Sequence, residues 1–286
     1  MIKETPYWWD TAASLPDYSN RPLPSKVDVV VIGSGYTGLS TARSLAKSGA
    51  RVIVLEKETI GWGASSRNGG QVLTGLKVGA ASLIKKFGLE RARELYNSSL
   101  ASIDFTEQLI AEEKIECEYE RAGHIDAACK PAHFEHFKHA AEVLTRDFNH
   151  PVRLVAEADQ YSELGTSYYH GLMIDERSGQ VHPAKYVRGL ALATERAGVE
   201  LHEHTPALKM EKELAGFKVS TPRGSIATKE VVVATNGYTD QAAQKIRRRV
   251  FPVGSYIIAT EPLRAEVAAK ILPHHQVVFD SKNFLY

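Results

Sequence analysis

The stretch "VVVIGSGYTGLSTARSLAKSGARVIVLEK", residues 29–57, leaves the chain few folds to choose from. Asp28–Ile32 and Arg51–Glu56 are β-branched runs of strand length, and between them apolar residues recur at Leu39, Ala42, Leu45 and Ala46 with helical spacing. Gly49 follows as a C-terminal cap. A strand, helix, strand unit of this length has parallel strands and a right-handed crossover, so the fold class is α/β with a Rossmann-like dinucleotide-binding domain.

Between strand and helix stands Gly33-Ser34-Gly35-Tyr36-Thr37-Gly38, which is G-x-G-x-x-G. Gly33 permits the tight turn, Gly35 lets backbone approach a pyrophosphate, and Gly38 lets helix and strand pack closely. The pyrophosphate then meets the positive end of the helix. Glu56 closes the second strand roughly 20 residues on, where a carboxylate accepts ribose hydroxyls and its charge repels a 2′-phosphate.

Those glycines do not separate NAD from FAD, since both carry the adenosine diphosphate half. The next segment bears on the choice. "GWGASSRNGGQV", residues 61–72, supplies small residues, two hydroxyls, an arginine and a Gly-Gly pair. A ligand reaching past its pyrophosphate needs such a track: Ser65 and Ser66 for phosphate or ribityl oxygens, Arg67 for charge, and Gly69 and Gly70 so that backbone lies flat against a ring.

Composition closes off other classes. With 35 Lys and Arg against 34 Asp and Glu, the formal charge of +1 gives no field to hold nucleic acid or an anionic membrane. Partners are therefore expected to be small molecules, and no apolar run reaches the ~18 residues of a membrane span. The polar N-terminus has no signal-peptide pattern. Cys117 and Cys129 form no C-x-x-C, so the chain reads as cytoplasmic with reduced thiols. His133, His136 and His139 fan across the polar side of a helix opened by Pro131, without an acidic or Cys partner, so no metal is expected. Oligomeric state is not legible.

Along the chain, residues 1–26 read as an extended, proline-rich arm anchored by the aromatic cluster of "YWWD". Residues 80–147 are mainly helical, interrupted by a strand in "GHIDAAC". Residues 182–205 give a helix and a strand, Ala207–Met210, Phe217–Thr221 and Ser225–Thr228 a small meander, and "EVVVATNG" a separate buried strand. "IRRRV" reads as a solvated basic rim.

Taken together, "YWWDT", "VVVIGSGYTGLSTARSLA", "LEKETIGWGASSRNGGQV", "DERSGQVHPAKYVRGLA", "GVELHEHTPA", "VVVATNGYT" and "FPVGSYIIATEPL" run through the chain in order. In these the sequence resembles the D-amino-acid oxidase type of FAD-dependent oxidoreductase, and within it the γ-glutamylputrescine oxidase and glycine or sarcosine oxidase branch. The resemblance implies FAD as cofactor. It implies oxidation of the C–N bond of an amine or amino acid by hydride transfer to flavin N5, with reoxidation by oxygen or another acceptor. It assigns Tyr36 and Thr37 to the pyrophosphate and Glu56 and Lys57 to the adenosine ribose. Ala64, Ser65, Ser66, Arg67, Asn68, Gly69, Gly70 and Gln71 would serve the phosphates, ribityl chain and flavin face. Ala207, where the family often has valine, would meet adenine through its backbone, and Ala234, Thr235, Asn236 and Gly237 form the strand end beside the dinucleotide.

Flavin chemistry requires no strong acid or base, and no catalytic residue is assigned; His182 and Tyr256 are the side chains to watch, each also a structural hydrogen-bond partner in the blander reading. Expected domains are the arm (1–26), a discontinuous FAD-binding domain (27–80 and 150–245), and a helical insert with a mixed α+β substrate domain (81–149 and 246–286). Relatives of this type continue past "FDSKNFLY", so the sequence corresponds to their first two thirds, with a sheet edge near Phe279, Phe284 and Leu285 left open. Two other functions stay open at this stage: an NAD-dependent dehydrogenase, and a non-catalytic nucleotide-binding fragment.

Overall fold

A computed structural model of the chain describes residues 3–282 and divides into two compact units. The first runs through Gly69 and adds Glu113–Cys117 and His182–Ile258; the second holds Gly70–Glu112, Glu118–Val181 and the chain from Ala259.

The first unit opens with one helical turn, α1 (Tyr7–Asp10), where an extended arm was expected. Its sheet has β1 (Lys26–Ile32) at the centre, flanked by β2 (Val52–Leu55) and, on β2's far side, β8 (Glu200–His202). On the other side follow β11 (Gly224–Val233), β10 (Gly216–Thr221) and β9 (Lys209–Glu213). The four strands β8, β2, β1 and β11 are parallel, whereas β10 and β9 are added antiparallel. The meander's last strand and "EVVVATNG" form one continuous strand, not two. β11 pairs with β10 over Gly224–Thr228 and with β1 from Ala227 to Val233, so a single ten-residue strand serves both neighbours.

Helices α2 (Tyr36–Lys47) and α6 (Pro183–Arg196) pack together, with Thr194 Oγ1 donating to the Leu39 carbonyl. On the sheet, Val30, Ile32, Ile53, Leu55, Ala207, Val219 and Ile226 make a continuous buried cluster. The buried face of α2 is Gly38, Leu39, Ala42 and Arg43, while Leu45 and Ala46 of the apolar repeat are half-buried. Arg43 tolerates burial because Glu113 pairs with its guanidinium, and Arg196 of α6 binds the same carboxylate. A short helix, α7 (Gln244–Arg247), carries the basic residues toward solvent.

The second unit contains a two-stranded antiparallel sheet of β3 (Gln71–Val72) with β7 (Gly179–Gln180), and helices α3 (Ala80–Phe87), α4 (Leu89–Glu113) and α5 (Pro131–Phe148). Its four-stranded sheet runs β12 (Val277–Asp280), β4 (His124–Ala127), β6 (Leu172–Asp175), β5 (Arg153–Val155), with α8 (Ala265–Ile271) preceding β12. Residues 70–80 and 150–181, expected in the dinucleotide domain, belong here instead. The reason is pairing: β5 and β6 complete the sheet built on β4, and β3 pairs with β7. Residues 246–258, expected with the substrate domain, fall in the first unit. Within the second unit Asp175 is buried and accepts from Thr74 Oγ1 and from the Arg177 amide, while His150 Nε2 lies 2.8 Å away. β12 is an edge strand, with Phe279 half-buried; Phe284 and Leu285 lie outside the described residues.

Candidate functional site

In a sheet of this kind the strands' carboxyl ends mark where ligands bind. The first unit has a cavity of about 540 Å³ there, in the size range of small-molecule sites. Gly33 follows β1 and Glu56 follows β2, while Ala234 follows β11; all three line it.

The turn after β1 explains its glycines. Gly33 has φ of +103°, a left-handed backbone, and a Cβ there would lie 2.8 Å from the Ala234 carbonyl oxygen. A Cβ on Gly35 would meet Ser65 Oγ at 2.9 Å. Tyr36 and Thr37 open α2 at the cavity wall, where first-turn amides have no intrahelical acceptor. Ser65 Oγ accepts from the Tyr36 amide at 3.0 Å, so the hydroxyl sits at the positive end of the helix. The Tyr36 side chain turns away to donate to the Pro183 carbonyl, and burial pushes its phenol pKa up.

Glu56 is held on both oxygens. Oε2 accepts from the amide and hydroxyl of the buried Ser34, and Oε1 accepts from the Glu58 amide at 3.0 Å. Three bonds leave a carboxylate with acceptor capacity toward the cavity. Lys57 lines the rim and is exposed.

Of the residues singled out from sequence, the cavity brings together Gly33, Ser34, Gly35, Tyr36, Thr37, Glu56 and Lys57. It also gathers Ala64, Ser65, Asn68, Ala207, Ala234, Thr235 and Asn236. Seven others do not line it. Gly38 serves packing beneath the turn. Ser66 is buried, its hydroxyl donating to the Gly61 carbonyl and accepting from Trp9 Nε1. Arg67 lies between the rings of Trp9 and Trp62, 4.7 and 4.1 Å from their centroids. Gly69 is exposed, Gly237 has open space around it, and Gly70 and Gln71 belong to the second unit.

Of the aromatics in "YWWD", Trp8 and Trp9 are anchors, whereas Tyr7 is exposed. Trp8 Nε1 donates to the Asn68 carbonyl, and its ring meets His182 edge-on at 4.7 Å. His182 is the N-cap of α6: Nδ1 accepts from the Lys185 amide, so Nε2 carries the proton and donates to Thr11 Oγ1. Neither His182 nor Tyr256, which is exposed, lines the cavity.

Sequence reasoning missed several wall residues, among them Glu58, Trp62, Pro206, Tyr238 and Asp240. Trp62 meets Tyr238 edge-on at 5.7 Å, and Gly63 sits against the Tyr238 ring. The signal was there in "NGYTD", since residues just past a parallel strand's carboxyl end face the cleft.

Glycines that bring backbone to the cavity, a helix N-terminus carrying the Ser65 hydroxyl and a carboxylate at the second strand's end fit the adenosine diphosphate half of a dinucleotide. Residues 28–286 match the family profile of FAD dependent oxidoreductases. The chain belongs to this family. Its members bind FAD, and the match covers both units.

Two curated relatives carry the likeness further. The chain is 33% identical over 286 residues to a probable oxidoreductase, OrdL, of Haemophilus influenzae, an alignment covering 98% of this chain and 66% of that protein. It is 30% identical over 259 residues to the gamma-glutamylputrescine oxidoreductase of Escherichia coli, covering 90% of this chain and 60% of that protein. The chain thus spans less than two thirds of either relative's length. Among solved structures, glycine oxidase from Geobacillus kaustophilus shares the fold, with a TM-score of 0.64 at 23% identity over 78% of this chain and 59% of that one. Among the described residues no helix is long and apolar enough to cross a membrane.

Proposed function

We propose that the chain holds FAD in the first unit's cavity and acts in the oxidation of the C–N bond of an amine or amino acid, with a γ-glutamylputrescine-like amine as substrate class. The observation that carries this reading is the joining of three features in one cavity: the glycine turn at the start of α2, the Glu56 carboxylate and the Ser65 hydroxyl on the helix amide. Family membership supports the cofactor, and the named activity of the Escherichia coli relative supports the substrate class.

FAD, when bound, supplies a two-electron acceptor. The residues then have separate tasks. The Thr37 amide and the Ser65 hydroxyl, which accepts from the Tyr36 amide and keeps its own proton to donate, would bind pyrophosphate oxygens. Glu56 keeps its bonds to Ser34 and accepts from the adenosine ribose. The backbone of Ala207 would hold adenine, and the strand end Ala234–Asn236, which lines the same cavity, would flank the dinucleotide. Both cysteines are outside any disulfide, in keeping with a reducing, cytoplasmic setting.

The test is anaerobic addition of γ-glutamylputrescine, sarcosine and glycine to the FAD-loaded chain, following flavin absorbance. Bleaching by γ-glutamylputrescine ahead of the other two is expected. Bleaching by glycine or sarcosine alone would reassign the substrate, and bleaching by none of the three would count against oxidation by this chain.

A further inference from the structure

The arm touches the cavity only through other residues, yet it is tied to Glu56 by two pairs of hydrogen bonds joined through the Gly61 backbone. Trp9 Nε1 donates to Ser66 Oγ at 2.8 Å, and Ser66 Oγ donates to the Gly61 carbonyl at 2.6 Å. The Gly61 amide donates to Ser34 Oγ at 2.9 Å, and Ser34 Oγ donates to Glu56 Oε2 at 2.5 Å. Each hydroxyl accepts one bond and passes its proton to the next group, so the directions are consistent throughout. Ser34 and Ser66 are both buried, which removes water as a substitute partner.

A second link runs in parallel. The Arg67 guanidinium is stacked between the rings of Trp9 and Trp62 while its Nε donates to the Trp62 carbonyl. Trp62 itself lines the cavity. Residues 61–67 are therefore gripped from the arm side by Trp9 at both Ser66 and Arg67, and their cavity side carries Trp62, Gly63, Ala64 and Ser65.

We infer that Trp9 is a positioning residue for the dinucleotide site, setting the loop 61–67 through Ser66 and Arg67 and, through Gly61 and Ser34, the orientation of Glu56. The inference rests on the reading of this cavity as an FAD site. Trp9 touches no ligand in this account; it lowers the cost of ordering the loop when the cofactor binds.

Trp9→Phe keeps a ring over Arg67 and removes only the indole donor. Two readouts are taken on the full chain: hydrogen exchange of the 61–67 amides without ligand, and the Kd for FAD by flavin fluorescence. Exchange in 61–67 is expected to quicken relative to the rest of the first unit, and the Kd to rise about five-fold, the worth of one hydrogen bond. Ser66→Ala cuts the same run one step on, so combining it with Trp9→Phe is expected to raise the Kd no further than the larger single effect. In a wild-type chain that binds FAD, unchanged exchange, a Kd within about two-fold of wild type, or fully additive variants would overturn the inference alone. A folded wild-type chain that takes up neither FAD nor ADP would overturn the cofactor reading and the inference with it.

Discussion

A methyl group on Gly38 would sit 1.9 Å from the Gly33 carbonyl oxygen. The obstacle is backbone in the turn that shapes the cavity, and no side chain can swing aside to relieve it. Gly38→Ala is expected to destabilise the first unit by about 1–3 kcal/mol and to abolish tight FAD binding, because helix and turn must separate. Thermal unfolding and an FAD titration check this; a variant with wild-type Tm and affinity would show that the contact relaxes freely.

Glu56 meets three donors from its own chain, and the proposed ribose contact is the fourth. Glu56→Gln replaces an acceptor oxygen by a donor and removes the charge. FAD and ADP are both expected to bind about ten-fold more weakly, whereas FMN, which lacks the adenosine half, should be unaffected. Calorimetric titration with the three ligands separates the outcomes.

Glu113 binds Arg43 and Arg196 together, with Arg43 buried. Burial raises the Glu113 pKa, but the hydrogen bonds from both arginines outweigh it and hold the carboxyl below its usual value. A depressed carboxylate adds stability that is complete above its unfolded pKa and is lost as pH falls through the folded one. Glu113→Ala is expected to cost about 3 kcal/mol at neutral pH, since it strands Arg43, and to flatten the loss of stability below about pH 4.5. Urea titrations across that range provide the test.

His202, fully buried on β8, has neither ring nitrogen hydrogen-bonded to a protein group. Burial holds its pKa below the ordinary value, with Glu200 pulling the other way and Arg223 and Arg21 adding to the effect of burial. The unfolded chain takes up the proton first, so stability from this site is present above about pH 6.5 and declines below it. His202→Leu removes an unpaired polar group and is expected to raise Tm at about pH 5.5 more than at pH 7.5. An equal shift at both would place the acid sensitivity elsewhere.

The parallel core was legible because its signals are local. β-branched runs, the helical repeat and three glycines occupy one stretch of chain, and β1, α2 and β2 lie where that stretch puts them. The family was equally legible from its motifs. What sequence hid depends on distant partners. Arg43 reads as a surface residue until Glu113 is brought beside it, and Ser66 and Arg67 read as ligand groups until Trp9 is seen to engage both. Residues 150–181 look like a continuation of the dinucleotide domain, because nothing local reveals that β6 pairs with β4 and β5 with β6.

The central claim is that the first unit's cavity is an FAD site, and it is tested most directly by the absorbance spectrum of the purified chain before and after denaturation, with an FAD titration of any unloaded fraction. Flavin bands from a folded protein, released on denaturation and recovered at one FAD per chain, are predicted. A folded, colourless chain that takes up no added FAD would contradict the account.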